Sequence, residues 1–475
     1  MSRNSGVLMH VSSLFGDYSC GSFGKEAKYF IDFLSDCGFS YWQVLPFCMV
    51  DEYNSPYKSY SSFSGNLYLI DLESLYAQGL ITKEELWSAR QRSPYLCEFD
   101  RMRVERFSLL QKASARVSDK EDIETFIESS PYLKAFCEFM ARKAMNNDAP
   151  WYEWTSDAVD EDVLFAWKFI QCTFVRQWLE VKEYANSKGV RLVGDIPIYV
   201  ALDSADVWSA KEQFQLDKNG MPTHVAGVSP DYFSADGQLW GNPLYDWKVM
   251  KKDGYRWWCD RIKHMSGLFD AVRIDHFRAF ASYWSIPAES KTAKAGKWIK
   301  GPGLPFVKAL KQAAGNTEII AEDLGDITPE VYQLVKDSGF PGMKVFQFGF
   351  LSREESTHLP HNYPKNCIAY SGTHDNNTLL GYLWELDDDT RNRMLAYCGH
   401  VGDWKNGLES MIRTIFASHA RLVMLPIQDL LGYGCDTRLN TPGRADGNWA
   451  YRITKAQLDS IDREKWKKLN QMYFR

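Results

Sequence analysis

Eight short apolar runs, most of them following an amphipathic helical stretch, constrain this chain more than any other feature. They are SGVLMHV from Ser5, YWQVLP from Tyr41, VRLVGDIPI from Val190 and AVRIDH from Ala271, then EIIAEDL from Glu318, GMKVFQFGF from Gly342, NCIAYSGTHD from Asn366 and RLVMLPIQDL from Arg421. Continuous apolar runs rich in β-branched and aromatic residues suit strands covered on both faces. Helical stretches such as KEAKYFIDFLSDCG, RQWLEVKEYANSKG and PEVYQLVKDSGF end near a glycine, the usual helix stop. Strand then helix, eight times over, predicts an α/β chain folded as a (β/α)8 TIM barrel. One domain is expected to span residues 1–475. The spacing is uneven. An insertion at about residues 70–150, rich in Lys, Glu and Arg, reads as a helical subdomain between the second and third strands. A second, at about 199–270, carries Gly, Asp, Trp and Pro and reads as loops that lid the C-terminal face. Asp387 to Asp389 reads as a solvated helix start.

Four acidic residues sit just past such runs: Asp195, Asp275, Glu322 and Asp375. Side chains at the carboxyl ends of barrel strands converge on one pocket. Carboxylates gathered there suit a glycosidic bond, which needs one acid to protonate the leaving oxygen and one carboxylate to meet the anomeric carbon. Residues two apart in a strand share a face, so Arg273 and Asp275 point the same way. The guanidinium would hold that carboxylate ionised and oriented, or the two would form a structural ion pair. In the fifth run, alternation puts Glu322 and Asp323 on opposite sides and does not choose between them. His374 beside Asp375 reads either as a grip on adjacent sugar hydroxyls or as a structural histidine.

Composition narrows the field. A net charge of −6 leaves no footprint for nucleic acid or an anionic membrane. No stretch approaches a membrane span. The start, MSRNSGVLMHVSS, offers no signal peptide, so a cytoplasmic location is expected, with the ten scattered cysteines reduced. The nine histidines show no metal-ligand spacing, and no phosphate loop or Gly-x-Ser-x-Gly elbow is present. Neither metal nor cofactor is expected. Aromatics make up 15% of the chain, with 17 Trp, which suits stacking on sugar faces as well as ordinary core packing.

Longer motifs carry a resemblance. They are SYWQVLP, SPYKSYSSFSGN from Ser55, GDIPIYVALDSADVW from Gly194 and GVSPDYFSADGQLWGNPLYDW from Gly227, then RIDHFRAF, IIAEDLG, GMKVFQF, SGTHDNNT and LPIQDLLGYG…NTPG…GNW. In this order they resemble glycoside hydrolase family 77, the 4-α-glucanotransferases of the amylomaltase or disproportionating-enzyme type. The resemblance implies a retaining transferase that moves a segment of α-1,4-glucan to the 4-hydroxyl of another glucan or of glucose. It implies Asp275 as nucleophile, Glu322 as general acid/base and Asp375 as the third carboxylate. Arg273 then partners the nucleophile, and Tyr57, Asp195 and His374 surround the cleaved sugar. Trp240 and Asn242 match the lid loop, and Asn440 the Asn-Thr-Pro-Gly loop. The chain departs from the family at HVSSLFGDYSCGS, which lacks two prolines, at FCMVDEYN, which replaces a Gly/Pro-rich turn, and at Leu67, where the family has proline. An α-glucan hydrolase of the same clan and a non-catalytic glucan-binding protein are the alternatives.

Overall fold

The computed structural model describes residues 3–230, 235–444 and 446–475; Asp231, Tyr232, Phe233 and Ser234 of the expected lid lie outside the described residues. Eight parallel strands form the barrel. They are β1 (Asn4–Leu8), β2 (Tyr41–Gln43), β3 (Arg191–Ile196), β6 (Ala271–Ile274), β9 (Glu318–Ala321), β10 (Gly342–Val345), β11 (Cys367–Tyr370) and β12 (Leu422–Pro426). Seven ladders join them in the order β10-β11-β12-β1-β2-β3-β6-β9. The last seam, between β9 and β10, is closed differently. The Ala321 N–H donates to the Pro341 carbonyl at 2.9 Å, and the Met343 N–H donates to the Asp323 carboxylate at 2.6 Å.

All eight runs contain a barrel strand, but several strands stop short of their run. FQFGF continues as a 3-10 turn over Phe346–Phe350, and IQDLL winds into a short helix at Ile427–Leu431. Inward and outward faces are both covered: Val7, Val193, Val272, Ile320, Met343, Ala369 and Met424 are at most 1% exposed. Gly194 in β3 is required by this packing, because a Cβ there would come within 2.4 Å of the Phe269 ring.

Residues 70–150 fold largely as helices, at Leu72–Ala77, Lys83–Ser88, Phe99–Ala115, Lys120–Glu128 and Pro131–Met145. The last three of them pack on the 27-residue helix Glu161–Ser187, whose N-terminus is capped by the Asp160 carboxylate. That helix also faces the barrel: Trp178 is fully buried and its indole N–H donates to the Leu268 carbonyl at 2.9 Å. One apolar cluster runs through all of these elements. Asp387 caps the helix Asp388–Tyr397, as its acidic start predicts.

The segment 199–270 is more ordered than its composition predicts. Strands β4 (His224–Val228) and β5 (Gln238–Pro243) pair antiparallel, and β4 also pairs with β7 (Ser282–Pro287), which pairs with β8 (Lys297–Lys300). The expected loops are therefore half of a four-stranded sheet completed from beyond β6. Gly227 in β4 reflects close approach, since a Cβ there would lie 2.2 Å from the Gln238 carbonyl oxygen, whereas Gly241 in β5 has a left-handed φ of 78° and open space around it. Among the described residues no helix is long and apolar enough to cross a membrane.

Candidate active site

The carboxyl ends of the barrel strands open into a cavity of about 600 Å³. Tyr57, Trp240, Asn242, Asp275, His374, Asp375 and Asn440 line it. Arg273 and Asp195 lie beneath its floor, 4% and 1% exposed, and Glu322 stands beside Asp275, 7% exposed.

The register explains the grouping. Asp195 pairs with Arg273 across β3 and β6, and Ile274 with Ala321 across β6 and β9, so Asp275 and Glu322 each follow the end of adjacent strands. Arg273 bridges two acids. One terminal nitrogen donates to both oxygens of Asp195 at 2.7 Å, and the other donates to Asp275 at 2.7 Å. The Tyr57 hydroxyl donates to Asp195 at 2.6 Å and lies 3.4 Å from the His374 ring nitrogen Nδ1. The Tyr57 and His374 rings stack at 5.0 Å. His374 Nε2 is 3.3 Å from the Asp375 carboxylate, which also accepts from the Asn440 amide at 2.6 Å. A continuous polar chain thus runs from Asp275 to Asp375 through four intervening side chains or their contacts. Both oxygens of Asp195 are engaged within it, so Asp195 reaches the cavity only through Tyr57 and Arg273.

The carboxylates have opposite electrostatic fates. Burial, reinforced by the charge of Asp275, pushes Glu322 up to about 8, against the opposing pull of Arg273 and two backbone amides. Those amides belong to His276, at 2.6 Å, and Leu324, at 2.8 Å. Burial would raise Asp375 too, but His374, Asn440 and Arg273 overcome it and hold Asp375 down at about 2. The same ion pair outweighs burial at His374 and raises its pKa above the usual imidazole value. A protonated carboxyl near neutral pH beside an oriented carboxylate is the pairing that acid-assisted glycosyl chemistry needs.

His276 holds the pairing together. Its φ of 52° is left-handed, which is uncommon for a residue other than glycine. This conformation accompanies the turn that delivers its N–H to Glu322, and its ring meets Trp240 edge to face at 5.0 Å. Trp240 in turn donates to the Gln238 side chain at 3.0 Å, and the Asn242 amide pins β5 to the Val200 carbonyl at 2.9 Å.

Sequence reasoning missed several lining residues, among them Tyr199, Lys58, Arg444 and Trp449. Trp449, with a left-handed φ of 68°, sets its ring 5.9 Å from both Tyr57 and His374. The GNW tripeptide contained the signal, but nothing in its spacing showed that this loop returns to the cavity. The ambiguity at Glu322 and Asp323 is geometric: Glu322 lies close enough to Asp275 to feel its charge, and Asp323 turns to the β9–β10 seam at Met343.

A family model described as 4-alpha-glucanotransferase matches residues 9–458. The chain belongs to the 4-α-glucanotransferase family, glycoside hydrolase family 77. It is 43% identical to a 4-alpha-glucanotransferase of Streptococcus pneumoniae, over 96% of this chain and 94% of that protein. It is 40% identical to the chloroplastic/amyloplastic 4-alpha-glucanotransferase of Solanum tuberosum, over 97% and 84% respectively. A solved amylomaltase from Streptococcus agalactiae, in complex with acarbose, superposes with a TM-score of 0.95 at 36% identity, covering 100% of this chain and 99% of that one.

Among the described residues no group of three or more His, Cys, Asp and Glu is placed to hold a metal ion. The carboxylates of the cavity are instead engaged by Arg273, His374, Asn440 and backbone amides. If carboxyl groups supply both the proton and the nucleophile, activity of this 4-α-glucanotransferase family member should survive exhaustive dialysis against a chelator within about twofold. Loss on chelation that a divalent ion restores would contradict this.

Proposed function

We propose that Asp275, Glu322 and Asp375 divide the chemistry of α-1,4-glucan transfer among them. Asp275 attacks the anomeric carbon while Glu322 protonates the departing 4-oxygen, giving a covalent glycosyl-enzyme and a released chain end. Glu322, now ionised, takes the proton from the 4-hydroxyl of an incoming glucan as that oxygen displaces Asp275. Configuration is retained because displacement occurs twice. Asp375, held ionised by His374 and Asn440, grips hydroxyls of the sugar under attack. Tyr57 and Trp449 frame that sugar.

The observation that carries this reading is the contrast between a carboxylate oriented by Arg273 and a neighbouring carboxyl raised to about 8. Malto-oligosaccharides and amylose are the donors in this reading, with glucose among the acceptors, in the metabolism of maltodextrin or glycogen. The enzyme acts in the cytoplasm, without nucleic acid or membrane partners. A net charge of −6 and ten unpaired cysteines support that part. Reducing-end counts on maltotriose test the reaction against hydrolysis: transfer redistributes chain lengths at constant reducing ends, whereas hydrolysis raises them.

Trp240 bears on the same distinction. It is partly exposed, lines the cavity and leans on His276, next to Asp275. A ring there can stack on an acceptor sugar and keep water from the covalent intermediate. Trp240→Ala should lower transfer about tenfold while hydrolysis changes little, raising the ratio of glucose release to chain redistribution. Parallel loss of both, with a lower melting temperature, would instead make Trp240 a structural pin for β5.

A further inference from the structure

The loop Gly372–Thr378 carries His374 and Asp375, and its two flanking residues meet on one carboxylate. Asp429, on the short helix just past β12, accepts the Ser371 hydroxyl at 2.5 Å and the Leu379 N–H at 2.7 Å. It is 2% exposed and takes no part in the chemistry described above. Seven residues lie between Ser371 and Leu379, so a single side chain fixes both feet of the loop. A second tether comes from β10's end: the Gln347 amide donates to the Asn377 carbonyl at 2.8 Å. From the cavity side, Arg438 donates to the Asp375 carbonyl at 2.5 Å, and Asn440 holds the Asp375 carboxylate. Ser371 continues β11, while Asp429 and Arg438 both follow β12. Burial pushes Asp429 up to about 6 against the two donors that pull it down. A buried carboxyl in so apolar a setting is costly unless its hydrogen bonds are made.

We infer that Asp429 is a positioning residue for the transfer reaction: it clamps both ends of the His374–Asp375 loop and thereby sets where Asp375 meets the sugar. The inference rests on the reading of Asp375 given above. A small displacement of a substrate-gripping group costs about 100-fold in rate, so the clamp is specific to reaction geometry as well as to stability.

The test uses the full chain and acarbose as the binding probe. Asp429→Ala should lower kcat on maltotriose about 100-fold and weaken acarbose about tenfold in protein whose circular dichroism matches wild type. Asp429→Asn should return the rate to within about tenfold of wild type, because its amide oxygen still accepts from Leu379 and the Ser371 hydroxyl can turn to accept from its NH2. In an Asp375→Ala background, Asp429→Ala should weaken acarbose by less than about twofold more, since the two act on the same contact. Ser371→Ala removes one anchor and leaves Asp429 in place; it should weaken acarbose about threefold to fivefold, and it decides the matter if Asp429→Ala does not fold. Wild-type acarbose affinity in folded Asp429→Ala or in Ser371→Ala, or losses that add in full to that of Asp375→Ala, would overturn the inference. If Asp375→Ala itself binds acarbose as wild type does, the assigned role of Asp375 fails instead.

Discussion

Replacing Asp275 by asparagine should remove glucan transfer by about three orders of magnitude or more while leaving the barrel folded. The neutral amide cannot form the glycosyl ester, so neither half of the double displacement proceeds. The structural cost is modest. Arg273 keeps both of its contacts to Asp195, which is the more deeply buried of its two partners. The change leaves one guanidinium nitrogen with a weaker acceptor, worth about 1–3 kcal/mol at most. Rate assays on maltotriose, with thermal melts on the same sample, check both halves. A variant that keeps more than about a tenth of the wild-type rate would place the nucleophile elsewhere. With a donor whose leaving group needs no protonation, such as maltotriosyl fluoride, the loss should persist, because the defect lies in attack and not in departure.

Glu322→Gln should behave differently. Removing a general acid costs about 10²–10⁴-fold on natural donors, but maltotriosyl fluoride should still form the covalent intermediate. The wild-type pH profile supplies the second readout. Glu322 must be protonated to begin the cycle, so kcat/KM should fall as pH rises through about 8, and Asp375, held near 2, should leave no acid limb in the ordinary carboxylate range. Linkage fixes the sign of the stability effect. A carboxyl whose folded-state pKa is raised contributes stability fully below its unfolded value of 4.5 and loses it as pH rises through about 8. The glutamine variant, which has no proton to lose, should therefore melt above wild type at about pH 9 and alongside it at about pH 4. An alkaline limb unchanged in Glu322→Gln would assign that titration to another group.

The barrel was legible because its physics is local. Strands covered on both faces must be apolar throughout, and each run announces itself without reference to its partners. The Arg273–Asp275 pair was legible for the same reason: a period of two places both on one face whatever lies beside them. The lid was read less well. Its glycines and prolines resemble loop composition, but Gly227 is there because the Gln238 carbonyl passes over it. A sheet formed with strands beyond β6 leaves no mark at short range.

What the sequence determined by itself was the eightfold alternation, the acids that end four of the runs and, through long motifs, the family. Tertiary structure decided which of those acids carries which charge. Glu322 is raised because burial and Asp275 act on it together, Asp375 is lowered because His374 and Asn440 reach it from two loops, and Asp195 is withdrawn from the cavity because Arg273 and Tyr57 occupy its oxygens. Apart from His374, the sequence neighbour of Asp375, the groups responsible come from distant parts of the chain, and their charges act more strongly because the site is buried from water.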